Sequence, residues 1–471
     1  MNYKGIDDSS KEHLLKTLGI KNERDLFSGL PEDLLYPDFN LSKGLDELSL
    51  HRFFADLVTS DNSPGFVPPH RSFLGGGFYH HSIPSAVNAI GSDGSFATAY
   101  TPYQAEASQG TLQALFEYQT YVCELLAMDV VNASHYDGPA ALAEAVRMAY
   151  FHGQSTPSAK NGQKKNQVIL LGALHPEYRQ VLETYSGPLA LEFCYITSGS
   201  YESELSTLLS PATCCVVGVT PDFFGRIHDF SGIAQVTKEV DALFIVQTDP
   251  LYATIFLPPG ELDADIAVAE GQPLGIPVQF GGPYLGVFGV KESLIRKMPG
   301  RLCGQTKDMD GNRMFTLTLS TREQHIRREK AVSNICTNQG LMALRALAYM
   351  AVMGNQGLES VAHSCVNGPH RFISLVQDSE NGVPGVEVYD SGIHFRDVRV
   401  RLPVDVDPVI SKLQQVGIQL GIPLGAFKSE FPDVTSKDLL ISFTEVHQPR
   451  DVEFVVESLR GVVKELLGGK K

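Results

Sequence analysis

The sequence predicts an α/β protein: a large domain on a mostly parallel sheet, an N-terminal helical arm, and a small C-terminal α+β domain. Three observations lead there. Between about residues 167 and 291, short apolar runs alternate with amphipathic stretches, the pattern of a buried parallel sheet with helices on its faces. Residues 1–66 hold short helical patterns with too few apolar side chains to bury a core, so they read as an arm. From about residue 385 the order becomes strand, helix, strand, helix, which suits a small sheet covered on one face. The predicted divisions are 1–66, 67–355 and 356–471.

Composition limits the function. Hydrophobic residues make up 43% and charged residues 20%, enough apolar material for a sizeable core. The net charge of −16 and the lack of a basic cluster argue against nucleic acid as a partner, because phosphate neutralisation needs grouped Lys and Arg. The opening MNYKGIDDSSKEHLLK carries mixed charge and no apolar run, so no secretory or transit segment is expected. No stretch of about 18 apolar residues occurs, so no membrane span is expected. Seven cysteines lie scattered without metal spacing, which fits a reducing, cytoplasmic setting.

In the arm, DELSLHRFFADLVTSDN is the clearest helix, with Leu48, Phe53, Phe54 and Leu57 near helical spacing. A loop follows, FVPPHRSFLGGGFYHHSIP, with three glycines before Tyr79, His80 and His81. A long helix is predicted from Ser108, with Leu112, Leu115, Phe116, Val122, Cys123 and Leu126 on one stripe. Asp137 is placed to cap the next helix and Pro139 suits its first turn. Strand-like runs are QVILLGAL, LALEFCYI, TCCVVGVT, ALFIVQ, DIAVA and LGVFGV. In TCCVVGVT, Cys214 and Cys215 read as one side chain on each face of a strand. A hairpin turning at Asp310-Gly311 is expected next. In HFRDVRVRLP, Val398, Val400 and Leu402 alternate with Arg399 and Arg401, as in a half-buried strand.

Four segments carry a resemblance: TAYTPYQAEASQGTLQALFEYQTYVCELLAMD, SHYDGPAALAEA, PPGELDADIAVAEGQPLGIPVQFGGPYLG and TREQHIRREKAVSNICTNQ. Together, and in this order, they resemble the glycine decarboxylase family, the P-protein of the glycine cleavage system. Within it they are most similar to the lysine-less first chain of the bacterial split form. The likeness runs to about residue 355 and weakens beyond. It implies a pyridoxal-phosphate-dependent transferase fold of type I. It also implies an activity in which glycine loses CO2 and its aminomethyl group passes to the lipoyl arm of H-protein.

In the family's cofactor-bearing half, a lysine precedes a glycine run ending in Gly-Pro. Aligning that run on Gly281, Gly282 and Pro283 puts Gln272 or Pro273 in the Schiff-base lysine slot, and no lysine lies between Lys238 and Lys291. A Schiff base needs a primary amine. The resemblance therefore implies that pyridoxal phosphate is bound covalently by a lysine-bearing partner subunit and not by this chain. The expected assembly is a heterotetramer of two of each chain.

What this chain implies for a shared pocket follows from the same resemblance. Tyr100, Thr101 and Tyr103 offer hydroxyls and aromatic walls, or else pack and cap a helix entry. Tyr79, His80 and His81 position substrate or the lipoyl arm, or else form a surface turn. Arg322, Arg327 and Arg328 suit a carboxylate or phosphate, unless Glu323 and Glu329 pair with them on a solvated face. Asn334, Thr337 and Asn338 cap the following helix, whose N-terminus also suits an anion. Asp249 stands where this fold often places the acid for the cofactor ring nitrogen, and is read here as a structural turn with Pro250. Gly281-Gly282-Pro283 gives close backbone approach or only shapes a loop. The alternative function is a non-catalytic scaffold that stabilises its partner or docks H-protein.

Overall fold

The structure, a computed structural model, describes residues 8–31, 34, 44–60, 67–156, 162, 164–197, 201–279, 281–331, 333, 335, 337–389 and 392–468. Its backbone contacts divide the chain into two compact units, Met1–Pro64 and Gly65–Lys471.

In the first unit, α1 (Asp8–Leu18) leads to a short 3-10 turn whose N-cap, Asn22, accepts from the Arg24 N–H at 2.9 Å. Asp25 returns the bond to the Asn22 N–H at 3.2 Å, completing a capping box. The second helix, α2 (Glu47–Ser60), starts at Asp46, whose carboxylate accepts from the Ser49 N–H at 2.8 Å. Its Phe53, Phe54 and Leu57 are exposed. A helix that leaves its apolar side chains in solvent gains little from burial.

The second unit opens with α3 (Ser85–Gly91) and α4 (Gln109–Leu126), which begins after Ser108 as the sequence indicated. The helix buries Leu112, Leu115, Tyr118, Val122 and Leu126, so Tyr118 and Gln119 replace Phe116 and Cys123 at the centre of the predicted stripe. Next comes α5 (Gly138–Gly153), capped by Asp137, whose carboxylate accepts from the Ala140 N–H at 2.8 Å; Pro139 lies in its first turn. A run of buried alanines lets α5 lie close against the sheet.

Among the described residues seven strands form that sheet: β1 (Val130–Val131), β2 (Gln167–Leu171), β3 (Glu192–Ile196), β4 (Thr213–Val219), β5 (Leu243–Thr248), β6 (Ile266–Glu270) and β7 (Gly286–Val290). Their spatial order is β1-β7-β6-β5-β4-β2-β3. Strands β3, β2, β4, β5 and β6 are parallel, whereas β7 runs antiparallel to β6. The reason lies in the connection: a loop rather than a crossover helix joins β6 to β7. Successive residues of β2 face opposite cores, Val168 and Leu170 toward α5 and α6 (Pro176–Ser186), Ile169 and Leu171 toward α7 (Tyr201–Leu208) and α8 (Ile233–Lys238). Two buried faces explain the continuous apolar runs. Cys214 and Cys215 depart from the expected alternation. A register shift pairs Gln167 with Thr213 but Val168 with Cys215, so the bulge at Cys214 puts both thiols in the same core cluster.

The hairpin β8 (Leu302–Lys307) and β9 (Arg313–Thr318) turns at Asp310-Gly311. Asp308 accepts from the N–H groups of Asp310 and Asn312, and Gly311 has φ +85°. The long α9 (Gly340–Val376) is broken at Gly354, beside the predicted division at 355. The C-terminal sheet has the order β10-β11-β13-β12, formed by β10 (Glu387–Val388), β11 (Asp397–Arg401), β12 (Ile422–Pro423) and β13 (Asp438–Ser442). Helices α10 (Val406–Gln414) and α11 (Pro449–Gly468) cover the face that holds Val398 and Val400. The other face is not solvated as predicted. Arg399 is buried there, with Asp433 at 2.7 Å and Asp438 at 3.0 Å satisfying its charge.

Candidate active-site pocket

The C-terminal ends of β4, β5 and β6 open into a pocket closed on its far side by the glycine loop and the start of β11. This is where ligands bind in open α/β sheets. The loop can approach because Gly76 and Gly77 have positive φ, and a Cβ on Gly75 would lie 1.9 Å from the Ser442 hydroxyl. The Gly76 N–H donates to Asp397 at 3.2 Å and the Gly77 N–H to the Tyr79 hydroxyl at 3.1 Å.

The side chains of the pocket satisfy one another. Asp249 accepts from the N–H groups of Leu251 and Tyr252, the turn predicted for it, but it also takes both ends of the Arg396 guanidinium, at 2.6 and 2.8 Å. Burial opposes the charge of Arg396, yet Asp249 beside it raises its pKa above the usual arginine range. The guanidinium lies 4.5 Å from the centre of the Tyr79 ring. The Tyr79 hydroxyl donates to Asp397 at 2.6 Å, and Ser442 donates to the same carboxylate. Burial pushes Asp397 up to about 6 against these bonds, and burial together with Asp397 pushes Tyr79 well up, keeping it a neutral donor.

Gln272 and Pro273 come one residue, Gly271, after the end of β6. The Gln272 amide accepts from the Tyr79 N–H at 3.0 Å and donates to the carbonyls of Tyr79 and Ile276 at 2.9 and 2.8 Å. Beside it, Glu270 takes the place of an anion at the α5 N-terminus: one oxygen accepts from the Gly138 N–H at 2.9 Å, the other from the N–H groups of Gln272 and Leu285. Burial lifts its carboxyl to about 8 despite those donors. The space left is about 70 Å3. No metal-binding group of three ligands occurs among the described residues.

His81 turns from the pocket to Glu445, its Nδ1 2.8 Å from the carboxylate. Burial alone would raise Glu445, but His81 and the Ser82 N–H hold it below the usual range. His80, depressed by burial, accepts the Thr444 hydroxyl at its carbonyl. Tyr79 to His81 are thus part of an internal network rather than a surface turn.

A second group gathers near Tyr103. Arg301, only 3% exposed, donates to the Tyr103 hydroxyl at 2.9 Å and stacks over its ring, while two of its other nitrogens have no hydrogen-bond partner among the described residues. Glu323 lies 4.0 Å from it and 3.5 Å from His325. Arg322 is employed differently: it donates to the carbonyls of Leu319, Met298 and Gly300, and burial lowers its pKa. Arg327 and Arg328 are exposed, as is Tyr100 at 92%; Thr101 is half-buried. Asn334 lies outside the described residues. Thr337 and Asn338 do not cap α9. Its N-cap is Gln339, whose own N–H is taken by the Ser134 hydroxyl at 2.8 Å. Gly281 and Gly282 have φ +87° and +94°; a Cβ on Gly281 would meet nothing within 4 Å among the described residues, whereas one on Gly282 would lie 3.1 Å from the Tyr284 backbone nitrogen, so the close approach here is within the turn itself.

Sequence reasoning thus missed Arg396, Asp397, Glu270 and Arg301. The signal for the first two was an Arg-Asp pair at the start of a strand, read only for its alternation.

Sheet order, flanking helices and the small C-terminal sheet define the class, the fold of type I pyridoxal-phosphate-dependent enzymes. Glutamate decarboxylase of Lactobacillus brevis superposes with a TM-score of 0.62 at 14% identity, over 92% of this chain and 96% of that one, a likeness of fold alone. The family is narrower. The profile of the glycine cleavage system P-protein matches residues 1–401. The chain is 38% identical over 453 residues to a probable glycine dehydrogenase (decarboxylating) subunit 1 of Maridesulfovibrio salexigens, covering 96% of this chain and 97% of that protein. It is 39% identical over 470 residues to the like-named protein of Rhodospirillum centenum, covering 98% and 100%. A crystal structure of glycine decarboxylase (P-protein) of the glycine cleavage system, in inhibitor-bound form, matches with a TM-score of 0.75 at 35% identity, over 98% of this chain and 100% of that one. The chain belongs to the glycine cleavage system P-protein family. The profile match ends at residue 401, inside the C-terminal domain, whereas the alignment to the Rhodospirillum centenum relative covers 98% of the chain.

Pyridoxal phosphate, implied by the class, does not fit this chain's own pocket. No lysine lines it among the described residues, both oxygens of Asp249 are bonded to Arg396, and Glu270 holds the N-terminus of α5.

Proposed function

We propose that the chain is subunit 1 of a glycine dehydrogenase (decarboxylating), an enzyme subunit active only as part of a hetero-oligomer in the cytoplasm. With a second subunit that bears pyridoxal phosphate on a lysine, it decarboxylates glycine, releases CO2 and transfers the aminomethyl group to the lipoyl arm of H-protein. The assembly holds two of each chain. The names of its relatives support this reading. The structural observation that supports it is the Asp249–Arg396 pair, in which both oxygens of the acid at the end of β5 are bonded to a guanidinium of the same chain. No helix among the described residues is long and apolar enough to cross a membrane.

Within this reading, 1–66 is an arm, 67–355 the large domain and 356–471 the small one. Tyr103, with Arg301 behind it, is this chain's contribution to the partner's pocket. Its hydroxyl oxygen accepts from Arg301, so its proton is left to donate outward. The scaffold reading draws on the same closed pocket but gives Tyr103 and Arg301 nothing to do. Separate purification followed by mixing with glycine and lipoylated H-protein tests the choice. CO2 exchange should be absent from this chain alone and saturate near equal amounts of the two chains. A second subunit fully active by itself favours the scaffold.

A further inference from the structure

A groove of about 970 Å3 lies between the end of α4, the segment following β5 and the break in α9. Two backbone features open it. Ala127 ends α4 in the left-handed region, φ 52°, and Gly354 interrupts α9 at φ 59°, ψ −178°. The floor is apolar: Leu125, Ile255, Phe256, Leu257, Met350 and Leu358. Leu257 is 51% exposed, and Tyr121 at the edge is 43% exposed. Around this floor stand Glu124, Glu261 and Glu359, all exposed, and among the described residues no Lys, Arg or His lines the groove.

An exposed apolar centre with a charged border is the anatomy of a protein interface, and a border of one sign selects the partner. Three carboxylates repel an acidic segment and attract a basic one. We propose that this groove docks the second, cofactor-bearing subunit through a segment whose aliphatic side chains are flanked by Lys or Arg. The inference rests on the two-chain reading above and adds where the chains meet. The aliphatic side chains fill the floor and cover Leu257, while the flanking cations reach Glu124, Glu261 and Glu359.

The test uses the full chain with a photoreactive benzophenone side chain in place of Leu257, assembled with the purified second subunit and irradiated. The expected adduct lies on the second subunit, in a segment where aliphatic residues are bracketed by Lys or Arg. The variant carrying Glu124→Lys, Glu261→Lys and Glu359→Lys should assemble at least about tenfold more weakly at low salt, with a smaller deficit at high salt and an unchanged melting temperature of the chain alone. An adduct on residues 1–64, on a second copy of this chain or on an acidic partner segment overturns the proposal. So does no adduct, or an assembly indifferent to the charge reversal. Failure of the two-chain reading looks different: the unsubstituted chains then neither co-purify nor gain activity on mixing.

Discussion

Asp249, at the end of β5, and Arg396, at the start of β11, share two hydrogen bonds of 2.6 and 2.8 Å, and that pair joins the large sheet to the C-terminal sheet. The Arg396 side chain is 2% exposed and that of Asp249 14%. Removing one partner strands a buried charge. Arg396→Met and Asp249→Asn should each lower unfolding stability by about 3–5 kcal/mol, and the double variant by clearly less than the sum. Urea unfolding of the isolated chain measures all three. Single losses below about 1 kcal/mol would remove the pair from the account.

His447 gives a pH dependence of known sign. The Thr444 N–H donates to Nδ1 at 3.0 Å, so the ring proton sits on Nε2, 2.9 Å from the Ser72 carbonyl that accepts it. A second proton would face the Thr444 N–H, and burial holds the pKa at about 4. The unfolded imidazole takes that proton near 6.5. The stability due to neutral His447 is complete above about 6.5 and is lost as pH falls toward 4. Glu270, lifted to about 8, acts in the opposite sense, losing its contribution as pH rises from 4.5 through 8, so the whole-protein slope does not isolate His447. The difference between wild type and His447→Gln does. That difference should shrink between pH 6.5 and 4, and a constant one contradicts the assignment.

Much of the fold was legible because local chemistry carried it. Asp137 and Pro139 announced α5, Asp310-Gly311 the hairpin, and the apolar runs β2, β4, β5 and β6. The reversal of β7 was hidden, since an apolar run does not state its direction. The pocket was harder to read because its partners come from distant segments: Tyr79 meets Gln272, Asp249 meets Arg396, His81 meets Glu445. Arg322 misled for a related reason. A guanidinium that binds three carbonyls looks in sequence like one awaiting an anion.

Arg301 and Arg322 should therefore separate. Arg301→Lys and Tyr103→Phe are expected to lower turnover of the assembled enzyme by about tenfold, the worth of one charged hydrogen bond, with little change in melting temperature. Arg322→Ala should instead cost the isolated chain about 2–3 kcal/mol by releasing buried carbonyls. Arg327→Ala, at an exposed site, should change neither. Turnover that falls with Arg322→Ala at unchanged stability would reverse the assignment.

Gln272→Lys should not create a second cofactor site. A lysine offers no acceptor to the Tyr79 N–H and leaves an ammonium where an amide made three bonds, so a loss of about 2–4 kcal/mol is expected. Melting temperature and mass after borohydride reduction in the presence of pyridoxal phosphate read both effects. A stable variant carrying reduced cofactor would show that Asp249 and Glu270 yield their places readily.

The most direct test of the account locates the cofactor in the active assembly. The reconstituted enzyme is reduced with borohydride, its chains are separated, and each is weighed by mass spectrometry. The cofactor mass should appear on the second subunit alone, with this chain at its unmodified mass even in excess pyridoxal phosphate. Cofactor retained by this chain, reduced onto a lysine or held at equal stoichiometry before reduction, would contradict a pocket closed by Asp249 and Arg396.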